Sequence, residues 1–294
     1  MNRVFIDDYK TCKRSELVDL WRCAFGDEEK LIEKFFHLLP EMGRGFVAIA
    51  GGKLIGMAYV LNFTVKDEVF GYLYALAVKE EYRGNGIGQM LVKHCLELYP
   101  RLCTFPANKN LYKWYDEKCG MKYRTYCVYD RIESESAAEV KKAAGNIEYL
   151  FGDGEKRNDY LIGVKKSETK VVSLSSADYA GRRSQFSIDT RYPVAWYEYQ
   201  RELCRTYGGG MFAFGRSIAC GYKESETVNG RTVKVLKIGE YFWSSDFIPM
   251  LCDCLDADYA MVRRVAFKDT KNSVPFICAN VPIPDTLAFG LALD

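Results

Sequence analysis

Residues 72–100, YLYALAVKEEYRGNGIGQMLVKHCLELYP, constrain this chain more than any other stretch, because three glycines there separate a strand-like run from a helix-like one. Tyr72, Leu73, Tyr74, Ala75, Leu76, Ala77 and Val78 form an apolar and aromatic run of strand length, closed by the polar Lys79, Glu80 and Glu81. Beyond the loop, Ile87, Leu91, Cys95 and Leu98 recur at spacings of four, four and three, the stripe of an amphipathic helix packed on a sheet.

Gly84, Gly86 and Gly88 permit backbone conformations that other residues avoid, and they let main-chain N–H groups approach a ligand with no Cβ between them. Beside a helix N-terminus that ligand is an anion, since the unpaired N–H groups and the dipole favour negative charge by ~0.3–1 kcal/mol. Several charge-assisted hydrogen bonds at ~1.5–3 kcal/mol each then suffice for a di- or triphosphate. The other reading is a turn that only joins strand to helix. Two phosphate motifs are excluded. A P-loop requires Lys-Ser or Lys-Thr where this chain has Gln89-Met90, and a GxGxxG pattern begun at Gly84 meets Gln89 in place of its third glycine. What remains is Arg-x-x-Gly-x-Gly, here Arg83, Gly86 and Gly88, behind a strand ending Leu76-Ala77-Val78. The segment resembles the acetyl-CoA-binding segment of the GNAT superfamily of N-acetyltransferases.

The resemblance implies acetyl-CoA as cosubstrate, with its pyrophosphate on the loop Arg83, Gly84, Asn85, Gly86, Ile87, Gly88 and Gln89. It implies that Leu76, Ala77 and Val78 splay from the neighbouring strand and offer backbone groups to the pantetheine arm. It also covers NKNLYKWYDEKCGM, where Asn108, Tyr115, Gly120 and Met121 match an asparagine, a helical tyrosine seven residues on, and Gly-Phe or Gly-Met at the helix end. Asn108 is thereby a cofactor-binding candidate, and Tyr115 the candidate for protonating the leaving CoA thiolate. In the family a glutamate on the central strand often serves as base, and Tyr74 stands in its place. Tyr74 is therefore the second catalytic candidate, through a tyrosine–water relay; Asp67, Glu68, Glu240 and the terminal carboxylate of Asp294 are the other candidate bases.

A net charge of +2, from nearly equal basic and acidic counts, argues against a nucleic-acid partner and for a small-molecule or peptide amine. The start MNRVFIDDYK has no apolar secretion core, and no run approaches the ~18–20 apolar residues of a membrane helix, so we expect a cytoplasmic protein with no membrane partner. The eleven cysteines lie in apolar segments, as buried thiols do, and with two histidines and no CxxC we expect no metal site.

In chain order, a first strand near residues 4–6 precedes two helices, the first capped by Ser15 and the second closed by Pro40. Residues 45–63 read as a hairpin turning at Gly51-Gly52, and residues 123–132 as a later strand. Residues 210–222, GMFAFGRSIACGY, echo that hairpin behind a helical WYEYQRELCRTY and ahead of a strand VKVLKIGEYF. A second, diverged unit without a coenzyme loop follows from this order, and residues 275–294 are expected to finish its sheet. The expected fold is α/β (α+β), with two GNAT-like, mixed but mainly antiparallel sheets flanked by helices. Residues 1–155 form the acetyl-CoA-binding domain and residues 156–294 the second, with the boundary between 134 and 170. The resemblance implies direct transfer of acetyl to a primary amine. The alternative is an acyl-CoA-binding sensor without turnover. Neither the acceptor nor the oligomeric state is fixed by the sequence.

Overall fold

The computed structural model describes residues 3–135, 171–266 and 272–284. The expected boundary near residue 155 and the terminal Asp294 lie outside them. Strand β1 (Val4–Asp8) leads into helices α1 (Arg14–Phe25) and α2 (Glu29–Met42), then the strands β2 (Gly43–Ala50), β3 (Lys53–Val65) and β4 (Glu68–Val78). Helix α3 (Ile87–Leu98), β5 (Leu102–Thr104), α4 (Lys109–Cys119) and β6 (Tyr123–Glu133) follow. After β7 (Val172–Ser173) come α5 (Ser176–Arg183), β8 (Thr190–Arg191), α6 (Val194–Thr206), β9 (Gly210–Phe214), β10 (Ser217–Val228) and β11 (Arg231–Phe242). The last elements are α7 (Ile248–Cys254), β12 (Tyr259–Ala266) and β13 (Val274–Ala279). Among the described residues no helix is long and apolar enough to cross a membrane.

Contacts divide the chain into two compact units, Met1–Val128 with Ser187–Glu202 and Arg264–Asp294, and Tyr129–Phe186 with Leu203–Arg263. In the first unit the strand order is β1-β2-β3-β4-β5-β13-β6. All these pairs are antiparallel except β4–β5. On one face, α3 and α4 bury Ile87, Leu91, Val92, Cys95, Tyr112 and Tyr115 with the sheet residues Phe46, Ala48, Ile55, Ala58, Val60 and Leu73. On the other, Trp21 of α1 and Phe35 of α2 meet Tyr59 and Tyr74, while Trp196 of α6 stacks against Tyr72 and Tyr199 of α6 meets Tyr74 edge-on. The seven buried residues of α2, from Leu31 to Met42, fall at helical spacings and give it this face.

The second unit repeats the plan. Strands β9, β10 and β11 form an antiparallel meander, α7 follows, and β12 returns parallel to β11. Both central hairpins carry an irregularity at corresponding places, between Met57 and Tyr59 in the first and between Cys220 and Gly221 in the second. The repeated order read from the sequence is present.

Four local expectations are corrected. The strands do not close into two separate sheets. Strand β6 serves both units: its residues 123–127 pair with β13, Ser134 N just beyond it donates to Asp258 O at 3.3 Å, and the thirteen strands belong to one sheet, with β8 paired to β3 off the main order. The segment expected to finish the second sheet instead inserts β13 between β5 and β6 of the first. Asn280 fixes its exit, accepting from Leu102 N at 2.8 Å and donating to Pro100 O at 2.9 Å. Helix α1 begins at Arg14, before Ser15, with Lys13 N donating to Glu16 Oε2 at 3.3 Å. Pro40 lies inside α2, whose end is marked by Gly43 N donating to Leu39 O.

Candidate functional site

The site is built on the end of β4. Its parallel register with β5 comprises Gly71↔Leu102 and Tyr72↔Cys103, while its antiparallel register with β3 continues to Met57↔Ala77 and Gly56↔Val78. The last clasp toward β5 is the Thr104 hydroxyl, which donates to the Leu73 carbonyl at 2.8 Å. From Tyr74 onward the two parallel strands form a fork with β4 held from one side. Ala75 sits at the irregularity with φ +49°, a left-handed conformation that costs a residue with a Cβ ~1–2 kcal/mol. Tyr74, Ala75, Leu76 and Val78 are partly exposed and Ala77 is buried.

The loop that follows is open. Gly84 and Gly86 have φ +79° and +78°, and a Cβ at either would meet nothing within 4 Å. Gly86 is the N-cap residue of α3, and Met90 N donates to Gly86 O at 3.0 Å, so the amides of Ile87, Gly88 and Gln89 precede the helical ladder. Together with the unfilled space above Gly84 and Gly86, this cradle fits a phosphate group. Side chains hold its shape. Arg83 Nε donates to Val78 O at 3.1 Å, and Asn85 Nδ2 donates to Tyr82 O at 3.1 Å and to Arg83 O at 3.2 Å. Gln89 Nε2 donates to Lys118 O at 2.7 Å, which ties α3 to α4. Thus Arg83, Asn85 and Gln89 shape the loop with their side chains, and besides their backbone groups the Nη groups of Arg83 remain to offer a ligand. A Cβ on Gly88 would sit 3.5 Å from the Trp114 ring, in ordinary contact.

Asn108 is the N-cap of α4, its Oδ1 accepting from Asn110 N at 3.1 Å and Leu111 N at 3.2 Å. Its side-chain NH2 is the group that remains for a cofactor. Tyr115, two turns on, is buried on the sheet side of α4, where desolvation pushes its phenol far above the ordinary range, with Cys278, Cys119 and Cys95 beside it. Tyr115 lies in the same core cluster as Leu73, with Leu76 and Val78 packed against it. At the end of α4, Gly120 takes φ +72° and its N–H reaches back to Asp116 O and Tyr115 O.

Tyr74 points to the opposite face. Its hydroxyl is 3.4 Å from that of Tyr199, and its ring packs against Trp21, Phe35, Tyr72 and Tyr199 at centroid separations of 5.5–6.4 Å. The carboxylates considered as bases are elsewhere. Glu68 begins β4, six residues or ~20 Å of extended strand from Tyr74, and pairs with Arg101 Nη2 at 2.6 Å. Asp67 occupies the turn at φ +66° with its side chain 93% exposed. Glu240 belongs to the second unit, buried in hydrogen bonds from Arg183 Nε, Arg183 Nη2 and Tyr179 OH at about 3.0 Å. Removing a partner from so buried a pair costs about 3–5 kcal/mol, which marks Glu240 as structural.

Residues 13–121 match the sequence model of the Acetyltransferase (GNAT) family. This segment belongs to the GNAT acetyltransferases. The match spans both the glycine loop and Tyr115 of the GNAT segment. Over the whole chain the fold is similar to a GCN5-related N-acetyltransferase from Kribbella flavida, at TM-score 0.58 and 12% identity, covering 95% of this chain and 71% of that one. Eis1 from Mycobacterium abscessus is comparable, at TM-score 0.56 and 13% identity with 95% and 73% covered. So is a putative acetyltransferase from Pyrococcus horikoshii, at TM-score 0.50 and 13% identity with 94% and 88% covered. At these identities the likeness is one of fold. No curated protein sequence matches.

Thr104, Tyr199, Trp196 and β13 escaped the sequence reading. Thr104 carried a weak signal, since it ends the strand before Pro106; the others are brought in from distant sequence and carried none.

Proposed function

We propose that the protein is an N-acetyltransferase that moves the acetyl group of acetyl-CoA directly to a primary amine. The observation that carries this reading is the fork of β4 and β5, with an open glycine cradle at the end of β4 and the buried Tyr115 packed in one core with Leu73, Leu76 and Val78. The loop amides from Gly84 to Gln89 bind the pyrophosphate, and the backbone of Leu76, Ala77 and Val78 orients the pantetheine arm. The thioester then lies in the fork. The amine attacks its carbonyl carbon, and the tetrahedral intermediate breaks the C–S bond and expels the CoA thiolate. Tyr115, whose phenol holds its proton tightly, stabilises that thiolate as a hydrogen-bond donor worth ~1.5–3 kcal/mol.

The amine must arrive neutral. For a lysine-like pKa of ~10.4 that costs ~4–5 kcal/mol at pH 7. The paired hydroxyls of Tyr74 and Tyr199 supply the polar contact on the acceptor side and start a water relay. The same Tyr74, in the place of a strand glutamate, favours the second reading, a sensor that binds acyl-CoA without turnover.

Thiol release from acetyl-CoA across a panel of polyamines, aminoglycosides and lysine peptides separates the two. An acetyltransferase releases thiol with at least one amine, and Tyr115→Phe lowers its kcat about 10–100-fold while acetyl-CoA still binds. Tight binding with no thiol release by any amine supports the sensor. Unchanged turnover in Tyr115→Phe removes that residue from the mechanism.

A further inference from the structure

Gln89 lies in the first turn of α3, and its side chain crosses to α4, where Nε2 donates to the Lys118 carbonyl at 2.7 Å. That carbonyl is in the last turn of α4, where the helix's own amides run out. The carbonyls of Tyr115 and Asp116 accept from the chain that follows, through Gly120 N and Met121 N, whereas Lys118 O accepts from the neighbouring helix. A second contact lies close by. The Trp114 ring stands over Gly88, 3.5 Å from the place of a Cβ, and its centroid is 4.8 Å from that of Tyr115, edge to face. Trp114 packs against the core that holds Ile87, Leu91 and Tyr115. The turn of α3 with amides for the pyrophosphate and the end of α4 that carries Tyr115 are thus joined twice, by a hydrogen bond and by a ring.

We propose that Gln89 is a positioning residue for the transfer reaction, its side chain holding the Tyr115 end of α4 against the phosphate-binding turn of α3 so that the Tyr115 phenol stands at a fixed place relative to the cofactor's sulfur. This rests on the acetyltransferase reading and adds a role to it. The pyrophosphate and the thiol lie at opposite ends of the pantetheine arm, so a cofactor seated on the cradle delivers its sulfur to a point the cradle sets, and a proton donor must belong to the same frame. No covalent bond changes. A residue that merely ended α4 would affect stability alone; the proposed role also changes what Tyr115 does for the sulfur.

The test needs no acceptor amine. CoA itself is the probe, and its thiol pKa in the complex is read from thiolate absorbance across a pH series. The proteins are wild type, Gln89→Met, Gln89→Arg, Tyr115→Phe and the Gln89→Met/Tyr115→Phe double variant. Gln89→Met keeps the length and helix-forming tendency of the side chain and removes the donor. We expect it to raise the bound thiol pKa by about half a unit, roughly a threefold weakening of thiolate stabilisation, against about one unit for Tyr115→Phe. Gln89→Arg returns a donor that reaches Lys118 O, and its thiol pKa should lie closer to the wild type than that of Gln89→Met. The double variant should match Tyr115→Phe, because Gln89 acts through the phenol. CoA affinity in Gln89→Met should stay within about threefold, since the backbone amide remains. A wild-type thiol pKa in Gln89→Met, an arginine variant no better than methionine, or a double variant that exceeds Tyr115→Phe overturns the proposal and leaves the acetyltransferase reading standing. Equal thiol pKa values in wild type and Tyr115→Phe overturn it as well, since the phenol then does not meet the sulfur. Failure of the wild type to bind CoA overturns both. Gln89 is exposed, and circular dichroism checks that its variants fold; if Gln89→Met does not, Gln89→Ala takes its place and must also raise the pKa.

Discussion

Two residue types decide this site, glycines that keep space open and hydroxyls that fill it. Gly86 shows the first. At φ +78°, with nothing within 4 Å of an added Cβ, it is held in a conformation that favours glycine and faces the space left for phosphate. We predict that Gly86→Val lowers acetyl-CoA affinity by about 10–100-fold, the loss of one or more charge-assisted hydrogen bonds. Circular dichroism would verify the fold and calorimetry the affinity. Wild-type affinity in a folded Gly86→Val would place the phosphate elsewhere. The loop was legible because Arg83, Gly86 and Gly88 are close in sequence and act through the local backbone. Tyr115 was pointed to by the family pattern that begins at Asn108, and it lies on the buried side of α4. Thr104 was not, since a buried hydroxyl bridging β5 to β4 leaves no periodic trace. Glu68 was misread as near the chemistry because it is close in sequence, although an extended strand carries it ~20 Å away.

Elements set those residues by their ends. Helix α4 starts at Asn108, whose side chain accepts two amide hydrogens, and it is anchored by the Tyr112 hydroxyl 2.8 Å from the carbonyls of Pro275 and Phe276 in β13. Asn108→Ala should destabilise the unit by ~0.5–2 kcal/mol, read as a lower denaturant midpoint. If Asn108 also holds the cofactor through its NH2, acetyl-CoA affinity falls as well; a stability loss alone would confine it to capping. The meander β2-β3-β4 and the helices around it were legible from alternation and helical stripes. The partners of β5 and Tyr74 were not. Strand β13 and the Trp196–Tyr199 turn of α6 are brought in by pairing and packing across long stretches of chain, and the residues that specify such contacts lie outside any local window.

At the scale of the molecule, the repeated order of elements was readable, but its partition was not, because each unit draws on more than one chain segment. A fragment ending at residue 155 lacks β13, leaving β5 and β6 without the strand that lies between them, and it lacks the Trp196 and Tyr199 that cover Tyr72 and Tyr74. We predict that this fragment does not fold cooperatively and binds no acetyl-CoA, as thermal melts would report. A fragment with a sharp transition and wild-type affinity would show that the first unit needs neither segment. The central claim, that the forked strand and glycine cradle of the first unit hold acetyl-CoA, is tested most directly by calorimetric titration of the full chain. We predict one site per chain, greatly weakened by Gly86→Val. A folded protein that binds no acetyl-CoA, or binds it equally well in that variant, would contradict it.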